Sequence, residues 1–136
     1  MKAWKGVLLS AVLFSSVIVY AMAVEPYWIK TSMHKIGHPS VVSPLRVVQL
    51  SDLHLQTFDK LSAKIVEEVE RLNPDLVVIT GDAIDNYGAL PVLDQFLAAL
   101  PKGTHTVAIL CNWEYGAAVD IQALRTLYIK IGRAHV

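Results

Sequence analysis

Between Arg46 and Tyr128 the apolar positions fall into two rhythms. Three short runs are continuously apolar and rich in β-branched residues: Arg46–Leu50 (RVVQL), Asp75–Thr80 (DLVVIT) and Thr106–Leu110 (TVAIL). That pattern predicts buried strands. Between the first two, Leu61, Ile65, Val69 and Leu72 recur at helical spacing, with Lys60, Lys64, Glu67, Glu68 and Glu70 left for a wet face and Asn73-Pro74 as a stop. A second helix opens near Pro91, gathers Leu93, Phe96, Leu97 and Leu100 on one side, and closes at Pro101 and Gly103. A third starts near Asp120 and carries Ile121, Leu124 and Tyr128. Upstream, Tyr27–Ile36 alternates weakly and predicts an edge strand, followed by a loop containing Gly37, Pro39, Ser43 and Pro44. The order β, β-α-β-α-β-α predicts an α/β fold. Right-handed crossovers would make its last three strands parallel, with helices packed over them.

The N-terminal stretch follows neither rhythm. From Gly6 to Val24 there is no charged residue, and Lys2 and Lys5 precede it. A core helix would carry a polar face, and only scattered serines interrupt this one. The stretch is instead expected to be an export segment, residues 1–24, serving as a signal anchor or a signal peptide. About 20 apolar residues suffice to span a bilayer, and Ala21-Met22-Ala23 also fits a cleavage site, so both forms stay open. Either way the positive-inside rule places residues after Glu25 outside the cytoplasm. They would be held at the cell membrane, or be secreted or periplasmic after cleavage near Ala23.

Composition sharpens this picture. The 136 residues allow one domain, and 54% hydrophobic against 18% charged is too apolar for a disordered chain. Twelve basic residues balance twelve acidic ones, so no net field points to nucleic acid or to an anionic surface. The single cysteine, Cys111, excludes an intramolecular disulfide framework and a cysteine-based zinc cluster. A metal site would have to draw on His, Asp, Glu and Asn.

Those residue types recur where the strands end, which in an open parallel sheet is where ligand groups collect. The first strand runs into Ser51-Asp52-Leu53-His54, where an extended chain would put Asp52 and His54 on one side. The second runs into Thr80-Gly81-Asp82, with Asp85 three residues on and Gly81 allowing the backbone to turn. The third runs into Cys111-Asn112-Trp113-Glu114, where Asn112 offers a neutral carbonyl oxygen. A mixed oxygen and nitrogen set suits a hard or borderline dication, and two such ions roughly 3.5–4 Å apart need a bridging carboxylate. Asp82, between the other two loops, could bridge.

Ser51-Asp52-Leu53-His54-Leu55, Thr80-Gly81-Asp82-x-x-Asp85 and Asn112-x-Glu114-Tyr115 resemble the first three motif blocks of the calcineurin-like metallophosphoesterases. Glu25-Pro26 after a hydrophobic segment is similar to the membrane-anchored, extracytoplasmic branch of that superfamily. The resemblance implies a four-layer α/β/β/α sandwich, of which residues 25–130 would be the N-terminal half, preceded by a hydrophobic helix. It implies two divalent ions, such as Mn, Fe or Zn, with Asp52 and His54 on the first, Asp82 bridging and Asn112 on the second. It also implies a phosphate-ester substrate attacked by an activated water, with no protein nucleophile.

Three departures from the family pattern bear on that expectation. Trp113 occupies the usual histidine position, and an indole cannot deliver a proton near neutral pH, so general-acid help of roughly 10²–10⁴-fold would be absent. Cys111 stands where the family prefers Gly. After Glu114 nothing corresponds to the later histidine blocks, and His34, His38 and His105 lie away from the strand ends. Residues 131–136 (Ile-Gly-Arg-Ala-His-Val) coincide with the translation of a sequencing-adapter read and are expected to be a non-native tail, so His135 is not a ligand candidate. The chain as written is therefore expected to carry about half a site. It would be a phosphoesterase fragment inactive on its own, or alternatively a membrane-tethered non-catalytic module that keeps the fold.

Overall fold

The structure is a computed structural model that describes residues 3–116 and 120–130, apart from the side chains of residues 3, 26, 113 and 130. The expected tail, 131–136, lies outside the described residues. The chain divides into two compact units, Met1–Ile36 and Gly37–Val136.

In the first unit, helix α1 (Ala3–Ala23) is followed by a 3₁₀ turn at Glu25–Tyr27. Its Trp4–Ala23 stretch of 20 residues is long and apolar enough to cross a membrane, a test that a signal sequence also passes. The edge strand expected at Tyr27–Ile36 does not form. Tyr27 closes the 3₁₀ turn, and residues 28–36 hold no regular element. Alternation alone is a weak strand signal, because a strand exists only by pairing, and the ladders among the described residues do not include this segment.

The second unit is built on a parallel sheet of β1 (Val47–Leu50), β2 (Leu76–Thr80) and β3 (His105–Ile109), in that spatial order. Helix α2 (Lys60–Leu72) joins β1 to β2, and α3 (Leu90–Ala99), entered by a 3₁₀ turn at Tyr87–Ala89, joins β2 to β3. The two helices contact each other. A short helix α4 (Asn112–Gly116) and α5 (Ile121–Lys130) follow. The helices begin and stop where side-chain chemistry directs. Asp59 caps α2 by accepting from the amides of Leu61 and Ser62, both at 3.0 Å, and the Ser62 amide holds its carboxyl below the ordinary range. Asn73 ends α2 in the left-handed conformation at φ 45°, Pro91 lies in the first turn of α3, and Asp120 caps α5 through the amides of Gln122 and Ala123.

Register sorts the sheet into two unlike faces. Val48, Val77 and Thr106 align, as do Leu50, Ile79 and Ala108. This face joins Val69 of α2, Leu93, Phe96 and Leu97 of α3 and Leu124 and Tyr128 of α5 around one core, in which Val77, Ile79, Leu93, Phe96, Leu124 and Tyr128 are fully buried. The opposite face carries Val47, Gln49, His105 and Ile109, all exposed, and Leu76, Val78 and Val107, half-buried. The strands are thus covered on one face among the described residues, where the continuous apolar runs predict buried strands.

Candidate metal centre

Register also lines up the carboxyl ends of the strands, because Leu50 pairs with Ile79 and Thr80 with Ile109. The loops that leave β1 and β2 stay hydrogen-bonded beyond the sheet. The Asp52 amide donates to the Gly81 carbonyl at 3.4 Å, His54 to Asp82 at 2.9 Å and Leu55 to Ala83 at 2.9 Å. A parallel bridge between Leu55 and Ile84 closes the run, and both side chains are buried.

Asp52, His54 and Asp82 meet at this junction, with one ligand atom of each lying within 4.8 Å of the others. Extended alternation is not what brings them together. Asp52, His54 and Asp82 all have positive φ, at 54°, 44° and 53°, so the backbone curls into the left-handed region at every one of the three. For a non-glycine residue that conformation costs roughly 1–3 kcal/mol and persists only where its surroundings over-determine it. Here the paired loops supply the constraint.

The cluster is strongly acidic within a chain of zero net charge. One Asp52 oxygen accepts from Ser51 Oγ at 2.5 Å. Asp82 is half-buried, and its Oδ1 is buried with no hydrogen-bond partner among the described residues. A buried carboxylate oxygen without a donor is costly unless a cation faces it. The donor set, two carboxylates and an imidazole, therefore fits a divalent metal of the borderline kind. His54 Nδ1 lies 2.5 Å from Asp85 Oδ1. That hydrogen bond raises the imidazole above its ordinary pKa; burial opposes the shift, and the charges of Asp85, Asp82 and Asp52 add to it.

Asn112 begins α4, an element the sequence pattern does not announce, at an exposed position just past β3. Its Oδ1 accepts from the Cys111 thiol at 2.9 Å. The Trp113 side chain, at the expected histidine position, lies outside the described residues. Cys111 fits against Gly81, which sits at φ 87°. A Cβ built on Gly81 would collide with Cys111 Cβ and come within 3.1 Å of its backbone nitrogen. His34, His38 and His105 are exposed, and among the described residues the group of candidate ligands consists of Asp52, His54 and Asp82.

Two residues that sequence reasoning left without a role hold the junction. Glu114 is fully buried, and its carboxylate accepts from the amides of Ala83 at 3.1 Å and Cys111 at 2.9 Å, tying the loop after β2 to the loop after β3. Its charge, after burial itself, pushes the hydroxyl of fully buried Tyr128 upward in pKa. Asp85 holds His54 and also accepts from Gln56 Nε2 at 3.1 Å. The only signal for either was its place in a motif block.

Comparison with known proteins agrees with this geometry. A profile described as Calcineurin-like phosphoesterase matches residues 45–132. An uncharacterized metallophosphoesterase of Aquifex aeolicus is 35% identical over 113 residues, covering 81% of this chain and 41% of the relative. The metallophosphoesterase YkuE of Bacillus subtilis is 36% identical over 72 residues, covering 49% and 25%. A protein of Chlamydia muridarum named UDP-2,3-diacylglucosamine pyrophosphatase LpxG is 39% identical over 80 residues, covering 56% and 24%. The chain spans between 24% and 41% of the length of these relatives. No solved structure matches it.

Proposed function

The chain belongs to the calcineurin-like phosphoesterase family, and on that premise we propose that its protein is a metal-dependent phosphoesterase whose centre is built on Asp52, His54, Asp82 and Asn112. The observation that carries the reading is the convergence of Asp52, His54 and Asp82, together with a buried Asp82 oxygen that has no donor among the described residues. Asp52, His54 and Asp82 would hold one divalent ion, and Asp82 together with Asn112 a second. Mn, Fe and Zn all suit the set. Such ions, when bound, supply Lewis acidity toward a phosphoryl oxygen and lower the pKa of water.

The chain's own residues set the rest. Asp52 and Asp82 concentrate negative charge where a cation must sit, and Ser51 fixes one Asp52 oxygen so that the carboxylate does not rotate. Glu114 spaces the loops that carry Asp82 and Asn112. Trp113, at the position where the family pattern has histidine, offers no transferable proton. A substrate with a good leaving group suits such a site, which favours a pyrophosphate or an activated phosphodiester over an alkyl phosphomonoester. The relative named as a UDP-2,3-diacylglucosamine pyrophosphatase supports the same substrate class.

The test is hydrolysis of bis-p-nitrophenyl phosphate by the protein before and after exhaustive chelation. Activity should vanish with the metal and return with added Mn²⁺. Turnover that survives chelation refutes the reading.

Residues 1–24 are proposed to export the rest of the chain, on the strength of the apolar Trp4–Ala23 helix and the preceding Lys2. A reporter enzyme that matures only outside the cytoplasm should be active when fused after Thr31. Activity confined to a cytoplasmic reporter at the same junction would disprove export.

A further inference from the structure

Resting on the cation site proposed above, we infer that Asp85 is a positioning residue, which fixes the tautomer of His54 so that Nε2 is the nitrogen offered to the metal. The backbone builds this arrangement. Leu55 and Ile84 pair in a parallel bridge and turn into the core, at 4% and 0% exposure. Their neighbours His54, Gln56 and Asp85 meet on the other side.

An ionised carboxylate only accepts hydrogen bonds, so Asp85 Oδ1, 2.5 Å from His54 Nδ1, requires the hydrogen on Nδ1. Nε2 then keeps its lone pair. The second Asp85 oxygen is engaged by Gln56 Nε2 at 3.1 Å, which stops the carboxylate from swinging away. The relay Gln56–Asp85–His54 therefore serves a ligand geometry without Asp85 being a ligand. Outer partners of this kind set ring orientation and raise imidazole basicity.

The experiment uses the protein carrying this chain. Long-range proton–nitrogen correlation of labelled histidine, at a pH where the ring is neutral, reads the His54 tautomer in the metal-free state, with His54→Gln to assign the signal. Calorimetric titration with Mn²⁺ reads affinity. The wild type should show the Nδ1–H form. Asp85→Ala should lose that preference and bind Mn²⁺ about 10–100-fold more weakly. Asp85→Asn, which keeps an acceptor oxygen, should retain the Nδ1–H form and recover much of the affinity.

An Nε2–H tautomer in the wild type overturns the inference without reference to any variant's folding. So does an Asp85→Ala protein with unchanged tautomer and affinity, provided Asp82→Asn still weakens Mn²⁺ binding. If the wild type and Asp82→Asn bind Mn²⁺ equally, the cation site itself is refuted and this inference falls with it.

Discussion

Asp82→Asn is expected to reduce metal-dependent hydrolysis by more than about 100-fold, since loss of an outer partner alone typically costs 10–100-fold. It should do so without unfolding the protein. Asn tolerates the left-handed backbone that Asp82 adopts at φ 53°, so the loop keeps its shape. The stability signature is the sharper measurement. Without metal, Asp82 Oδ1 is a buried acceptor with no donor among the described residues, beside Asp52 and within the field that also acts on His54. Removing that charge should leave metal-free stability equal or higher by about 1 kcal/mol.

With metal, the sign reverses. A site that binds only the folded state stabilises it by about 2.7 kcal/mol at a hundredfold excess over Kd. The wild type should gain that increment on addition of Mn²⁺ and Asp82→Asn should not. Thermal melts of both proteins with and without Mn²⁺ decide the matter. A variant that is less stable without metal, yet still stabilised by Mn²⁺, would show that Asp82 is a structural residue.

Glu114→Ala should be the most destabilising single change near the centre. The Glu114 carboxylate is fully buried and answers two backbone amides, at 3.1 and 2.9 Å. Each donor stranded in the interior costs about 1–3 kcal/mol, and relief of the buried charge returns part of the sum, so a net loss of about 2–4 kcal/mol is expected. Glu114→Gln keeps one acceptor but turns an NH₂ group toward the other amide, and should lose about half as much. Urea denaturation checks both values, read at unchanged slope. A loss under about 0.5 kcal/mol for alanine would mean that the amides find other partners. Because Ala83 adjoins Asp82 and Cys111 adjoins Asn112, weaker Mn²⁺ binding should accompany the loss of stability.

Much of this fold was legible because periodicity reports burial. Leu93, Phe96, Leu97 and Leu100 announced the face of α3, and Leu124 and Tyr128 that of α5, since a helix must hide one stripe. The strands were legible as β-branched runs, but their two faces were not. Val47, Val78 and Val107 are as apolar as Val48 and Val77, so composition could not tell the covered face from the open one. Tyr27–Ile36 misled because alternation describes a strand only when a neighbour is present to pair with it.

At the site, Asp52, His54 and Asp82 were legible as ligand types at strand ends. The means of their convergence was not. Asp and His enter the left-handed region rarely, and no local pattern predicts three such turns, which are imposed by pairing between loops some thirty residues apart. Glu114 was hidden for a related reason. A buried carboxylate is justified only by the two amides it answers, and these come from separate loops.

The contact between Gly81 and Cys111 makes two positions thirty residues apart behave as one variable. The space between their loops holds a single Cβ, and Cys111 supplies it. Where position 111 is glycine the Cβ collision is gone, and residue 81 is restricted by its backbone angle and by the nitrogen and Cα of residue 111, at 3.1 and 3.2 Å from its Cβ. Where position 111 bears a side chain, 81 has no choice but glycine. Substitutions at these two sites are therefore interpretable only as a pair. A library that varies 81 while holding Cys111 fixed would make the position look catalytically indispensable when it is merely crowded.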